Sequence, residues 1–242
     1  MNYNWNWRIF WEQSPEGTGT YFDILVQGLL TTLTTASLAW VVALVFGCVM
    51  GVLRSFPNRV GQVIGGAYVE LFRNIPLLVQ LFLWYFVLPE VLPEAVGTWL
   101  KNLTNAPFVI AVVGIGLFMS ARVAEQLRAG LAALPQGQGY AGTALGLTTL
   151  QTYRYVLLPM AFRIILPPLT SELINTIKNT SVALTIGLLE LIARARAMQE
   201  FSFQVFEAFT AATAGYLVVN LLATLAMRVL ERRVRVPGYV GA

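Results

Sequence analysis

Apolar residues dominate this chain in long blocks, and the blocks set the first expectation. Residues 24–53, 102–121 and 208–227 contain no charged side chain. A helix needs roughly 20 predominantly apolar residues to cross a bilayer, so each block is long enough. Two further blocks are apolar but interrupted. Residues 58–89 carry Glu70, Arg73, Asn74 and Pro76, and residues 160–189 carry Arg163, Pro167, Pro168, Glu172 and Lys178. The pattern predicts five spans, near residues 24–53, 60–88, 106–134, 162–189 and 208–229. Pro76 lacks a backbone N–H, so the second span is expected to open near Asn74. The fold class is an all-α integral membrane protein, and residues 1–242 form a single membrane domain.

Composition agrees with this. The chain is 57% hydrophobic and 12% charged, with a mean hydropathy of +0.66. The N-terminus has no basic segment leading directly into an apolar core, so a cleavable signal peptide is not expected. Its first 20 residues are rich in Trp and Tyr, as expected at a membrane interface. There is no His, and the single Cys48 has no intrachain partner. Histidine-based metal sites and general-base chemistry are therefore excluded, and no metal site is expected. No G-x-x-x-x-G-K-[ST] phosphate loop occurs.

The basic residues suggest an orientation, because cytoplasmic loops tend to be enriched in Lys and Arg. Arg54 and Arg59 follow the first span, Arg154 follows the third, and Arg228, Arg232, Arg233 and Arg235 follow the fifth. All fall on one side if the N-terminus is outside and the C-terminus inside. Arg194 and Arg196 fall on the opposite side and count against that assignment.

The segment GQGYAGTALGLTTLQTYRYVLLP, residues 137–159, is a polar, glycine-bearing connection between two apolar stretches. Its small residues Ala141, Gly142 and Ala144 let a short helix press closely on another protein, and Gly146 suits the left-handed cap that ends such a helix. A turn-rich connecting loop is the simpler alternative. The layout resembles the cytoplasmic "EAA" loop of permease subunits from binding-protein-dependent ABC importers. ELFRNIPLLVQLFLWYF (70–86), SARVAEQLRAGLAALPQGQ (120–138) and LINTIKNTSVALTIGLLEL (173–191) resemble the later spans of polar amino acid permeases. With NWNW near the start and ERRVRVPG near the end, the similarity is strongest to glutamate/aspartate importer permeases.

The resemblance implies a type I ABC importer permease fold in a bacterial inner membrane, with residues 1–22 periplasmic and 135–159 an ATPase-coupling loop. It implies a dimer of ABC ATPase subunits, a second related permease or a second copy of this chain, and a periplasmic substrate-binding protein. The remaining partners are the lipid bilayer and a small-molecule amino acid; no nucleic acid is expected. The chain itself would be no enzyme and bind no cofactor, with ATP and Mg²⁺ on the partner. Gln138, Tyr140, Ala141, Gly142, Gly146 and Pro159 map onto the coupling loop. Tyr140 departs from the family pattern, which has Glu there, and this removes a carboxylate from the docking surface. A stand-alone secondary transporter or channel is the alternative function, and a membrane enzyme a third.

An ionisable group at the bilayer centre costs roughly 2.5–3.5 kcal/mol on insertion scales, so it usually faces a partner or a polar cavity. Arg73 and Asn74, then Arg122 and Glu125, then Asn175 and Lys178 lie near the middles of three spans and are the candidate substrate-binding residues. The motif around Arg73 resembles one shared by permeases for differently charged amino acids, which points to the common α-carboxylate. The position of Arg122 is usually apolar or aromatic in the broader family, which points to a side-chain carboxylate. Internal pairing is the alternative: Glu70 with Arg73, and a ladder of Arg122, Glu125 and Arg128 at helical spacing. Arg128, Arg154 and Arg163 are expected to face the cytoplasm or the ATPase.

Overall fold

The structure is a computed structural model that describes residues 3–15 and 19–234. Arg235 and the RVPG segment it opens lie outside the described residues. Among the described residues, a 3-10 turn at Trp7–Trp11 is followed by nine helices: α1 (Tyr21–Ser55), α2 (Arg59–Asn74), α3 (Leu77–Val91), α4 (Glu94–Lys101), α5 (Ala106–Ala132), α6 (Gln136–Ala144), α7 (Thr149–Ile186), α8 (Leu191–Ser202) and α9 (Val205–Val234). Among the described residues the one extended pairing is an isolated bridge, Gln13 to Thr20.

Helices α1, α5, α7 and α9 are each long and apolar enough to cross a membrane, and the bent pair α2 and α3 makes a fifth if counted as one span. The opening expected near Asn74 in the second span is thus a bend of 100° between α2 and α3. Ile75 is extended, at φ −101° and ψ 126°. Pro76 causes this, since its ring disfavours the helical conformation for the residue before it and it has no N–H to donate. The span expected at 162–189 also shifts. Its helix begins at Thr149, passes through one π-helical turn at Tyr153–Leu157 and closes in 3-10 turns at Thr180–Ile186. The connection expected over 135–159 therefore shortens, because its second half is already α7.

Backbone contacts divide the chain into two compact units, neither contiguous in sequence. One holds the described residues up to 40 with 76–116 and 175–222; the other holds 41–75, 117–174 and those from 223. In the second unit, α1 meets α5 through Gly47 and Gly51. A Cβ on Gly47 would fall 2.6 Å from Val123 Cβ, and one on Gly51 2.9 Å from the Ala124 carbonyl oxygen. Lipid tails are as apolar as the helices, so close van der Waals packing and polar contacts drive association here. Gly65 of α2 likewise sits against Arg54 and Met50. Val69, Ala121 and Ala124 form the buried centre of this contact, and the Tyr68 and Ser120 hydroxyls hydrogen-bond at 2.6 Å.

In the first unit, Ile24 and Leu25 of α1 pack with Leu191, Ala195 and Met198 of α8 and Ala208 and Ala212 of α9. Two buried glutamates tie its ends. Glu207 accepts from Tyr3 Oη and from the Asn6 N–H at 2.7 Å, which fixes the N-terminal segment on α9. Glu190 caps α8, accepting from the Ala193 N–H at 2.8 Å and from Tyr216 Oη at 2.6 Å.

Candidate functional site

The connection between α5 and α7 is built around α6. Its C-terminus closes in a two-bond motif: the Leu147 N–H donates to the Gly142 carbonyl and the Gly146 N–H to the Thr143 carbonyl, both at 3.0 Å. This geometry requires a left-handed residue, and Gly146 supplies it with φ +78°. The expected helix stop at Gly146 is thus observed. Immediately afterwards Thr148 and Gln151 form a reciprocal capping box that starts α7. Gly142 lies where a Cβ would come within 2.8 Å of Thr152. The absence of that atom lets α6 lie directly on the first turn of α7.

The outward face of this hairpin is apolar. Tyr140 is 71% exposed, Leu145 81% and Leu150 67%. Large exposed apolar side chains grouped on a short polar connection mark a protein contact more often than a solvated loop. Ala141 and Pro159 are also exposed, and Gln138 is half-buried. Leu145 and Leu150 escape a reading of the sequence, where they look like ordinary members of an apolar alternation. Tyr153 anchors the hairpin by donating from its hydroxyl to the Ser55 carbonyl.

Three basic side chains of the second unit converge on Glu125. Its carboxylate accepts from Arg54 and from Arg128, the latter through Nε at 3.0 Å and Nη2 at 2.5 Å. Arg73 Nη1 stands 4.0 Å from the same carboxylate. Three guanidinium groups thus share one carboxylate, which leaves the group cationic. One expectation changes. Arg73 reaches Glu125 on another helix, and among the described residues Glu70 makes no ion pair. The ladder expected on α5 is half formed: Glu125 pairs with Arg128, while Arg122 lies over the Phe118 ring at 5.3 Å.

Arg122 is exposed, and among the described residues it has no carboxylate partner. Asn74 is exposed beside the half-exposed Arg73. Asn175 and Lys178 belong to the first unit, half-buried and exposed respectively. The structure therefore gathers Arg73, Asn74, Arg122 and Glu125 into one unit with Arg54. Sequence reasoning uses Arg54 only as a marker of orientation. The signal for its second role is the run of glycines at 47, 51, 61 and 65, which brings α1, α2 and α5 close.

Residues 43–236 match the family described as the binding-protein-dependent transport system inner membrane component. This chain belongs to that family. As such a permease it is a membrane-spanning subunit of an ABC importer, not an enzyme, and ATP hydrolysis resides in a separate subunit. The permease is 45% identical to the Escherichia coli glutamate/aspartate import permease protein GltJ, over 100% of this chain and 99% of that one. It is 32% identical to the Escherichia coli glutamine transport system permease protein GlnP, over 96% and 98%. A crystal structure of an amino acid ABC transporter with histidines superposes at a TM-score of 0.74 and 30% identity, covering 88% of the permease and 95% of that chain. The inward-facing MetNI methionine ABC transporter shares the fold at a TM-score of 0.74 and 19% identity, covering 89% and 98%.

Proposed function

We propose that this permease forms half of a translocation pathway for an acidic amino acid, glutamate or aspartate. One observation carries the reading: Arg122 stands exposed near the middle of α5 with no carboxylate of the described residues paired to it. A cation at that depth is costly against lipid, and an anionic substrate offsets the cost. The 45% identity to GltJ along the full chain supports the same substrate class. In this reading Arg122 takes the side-chain carboxylate and Arg73, with Asn74 beside it, takes the α-carboxylate. Glu125 enters as the group that holds Arg73 in place. Asn175 and Lys178, polar groups of the apolar helix α7, belong to the other unit and are proposed as separate candidates for substrate contact.

The N-terminus is periplasmic and the C-terminus cytoplasmic, which puts α6 on the side of the ATPases. The exposed face of Tyr140, Ala141 and Leu145 fills a cleft in the ATPase subunit, with the Tyr140 ring where relatives of the broader family carry a carboxylate. A pair of ATPases holds ATP and Mg²⁺. A second permease, or another copy of this one, completes the pathway, and a periplasmic binding protein delivers the amino acid.

The test is Arg122→Met in the assembled transporter, reconstituted with its ATPase and binding protein. Glutamate and aspartate uptake should fall roughly 10- to 150-fold, the scale of a lost charge-assisted hydrogen bond, while basal ATP hydrolysis persists. Unchanged uptake would overturn the assignment. So would recovery of uptake on adding Glu125→Gln, which would make Arg122 a counter-charge for Glu125.

A further inference from the structure

The N-terminal segment and the start of α1 form an aromatic surface within the first unit. Trp5 and Trp7 stack at 5.8 Å, and Trp11 stacks on Phe22 of α1 at 5.5 Å. Trp11 is 71% exposed, yet the segment that carries it is tied down at three points. Tyr3 and Asn6 hydrogen-bond to Glu207 of α9, Ile9 is buried, and Gln13 bridges to Thr20 just before α1 begins. The tryptophans are therefore held in fixed places on the helices.

Beside Trp11 lies a groove of about 430 Å³. Small-molecule sites run from about 300 to 1,000 Å³. Phe22, Val26 and Leu29 form one wall, on a single stripe of α1 at helical spacing, and Ala211 and Gly215 of α9 lie opposite. Every lining residue is aromatic, aliphatic or glycine. The small residues on α9 leave the room. At Gly215 that room is already limited, since a Cβ there would meet the Leu191 side chain at 2.9 Å.

Two observations say what fills this groove. The first is its place on a span. Helix α1 is long and apolar enough to cross a membrane, and the exposed side chains of Val26 and Leu30 carry its apolar face outward from the groove. A bilayer presents hydrocarbon chains to such a face, and Trp is enriched where those chains meet the headgroups. The second is Arg8. Side chains three apart eclipse in a 3-10 helix, so Arg8 shares a face with Trp11 on the turn Trp7–Trp11. Arg8 is exposed, and among the described residues it forms no ion pair. The nearest carboxylate along the chain, Glu12, accepts from the Asn6 side-chain amide at 3.2 Å. A guanidinium beside the aromatic rim of a hydrocarbon groove matches a phosphate group, which it can hold through two parallel hydrogen bonds.

We propose that this groove is a binding site for an anionic phospholipid, with one acyl chain lying between Phe22 and Ala211 and the headgroup phosphate on Arg8. The proposal goes beyond the transport reading, since none of these residues belongs to the candidate substrate or coupling sets. The bound lipid joins the N-terminal segment to α1, α8 and α9. A ligand that binds only the folded protein stabilises it, so this lipid raises the melting temperature of the permease.

The experiment uses the assembled transporter in nanodiscs that mix phosphatidylglycerol and phosphatidylcholine with identical acyl chains. Native mass spectrometry after release counts the phospholipid that stays bound. Phosphatidylglycerol should be retained in preference to phosphatidylcholine and should raise the melting temperature more. Arg8→Gln should cut that preference about fivefold, the scale of one cation at an anionic bilayer surface, and Arg8→Lys should keep most of it. Ala211→Phe, which occupies the groove, should lower retention of both lipids. Trp11→Ala should do the same from an exposed position where the fold is not at risk. A preference unchanged by Arg8→Gln, or retention unchanged by both Ala211→Phe and Trp11→Ala, overturns the proposal. Photo-crosslinking from Phe22→p-benzoylphenylalanine in native membranes separates lipid from protein. An adduct with the mass of a phospholipid is expected, and a cross-link to another protein chain would make the groove a protein interface and overturn the proposal as well.

Discussion

Arg54, in the last turn of α1, and Glu125, in α5, form an ion pair across 71 positions of sequence. Arg54 and Glu125 are only 21% and 25% exposed, so the pair is largely shielded from solvent screening. Removing Glu125 leaves Arg54, Arg73 and Arg128 without their shared carboxylate, whereas removing Arg54 leaves Glu125 with Arg128 and Arg73. Glu125→Gln should therefore lower thermal stability in detergent by about 1–3 kcal/mol, and Arg54→Met by less. A double-mutant cycle should give a coupling energy above about 0.5 kcal/mol. Strict additivity would show that the pair is not formed in the membrane.

Arg73 shares the Glu125 carboxylate but keeps half of its side chain exposed. If it reads the α-carboxylate, Arg73→Lys should weaken uptake of every accepted amino acid by a similar factor, because Lys offers a point charge in place of a two-pronged donor. Uptake assays with several amino acids check this. A variant that loses acidic substrates alone would point to a different role.

Gly146 stands at φ +78° with open space where a side chain would go. Its constraint is conformational, since a left-handed backbone costs an ordinary residue roughly 1–2 kcal/mol. Substrate-stimulated ATP hydrolysis should therefore rank Gly above Asn above Ala, with Asn tolerated best among side-chain-bearing residues. Gly146→Phe, which adds bulk at the docking face, should uncouple the ATPase while the permease still inserts. Normal transport by Gly146→Phe would refute docking at this helix.

Glu190 makes stability depend on pH in a definite direction. Burial, its largest influence, raises the folded-state pKa, against the pull of the hydrogen bonds from Tyr216, Ile192, Ala193 and Thr32. The folded state then binds more protons than the unfolded state between the two pKa values, so stability falls as pH rises through that window. Glu190→Gln should flatten this part of the profile. Thermal midpoints in detergent from about pH 5 to about pH 8 test it, and an identical slope in both proteins would contradict the assignment.

The sequence alone was enough for several features, and each had a local physical cause. Charge-free apolar blocks predicted α1, α5 and α9, because the length and hydropathy of one segment decide whether it can cross a bilayer. Pro76 predicted the break between α2 and α3, and Gly146 the end of α6, because each constrains its own backbone or its immediate neighbour. The short helix α6 was legible from its small residues and its glycine stop.

Within α5 the spacing that offered Glu125 to Arg128 holds, but charge partnership between helices was not legible, because it depends on which helices approach. Helical spacing offered Glu70 to Arg73 and Arg122 to Glu125, and neither pair forms. The glycines at 47, 51 and 65 bring α1 and α2 within packing distance of their neighbours, and Glu125 thereby gains Arg54 from one helix and Arg73 from another. Hydropathy and backbone constraint act along the chain and can be read there. Pairing, burial and cavity shape act between segments, so only the tertiary packing of these helices decided them.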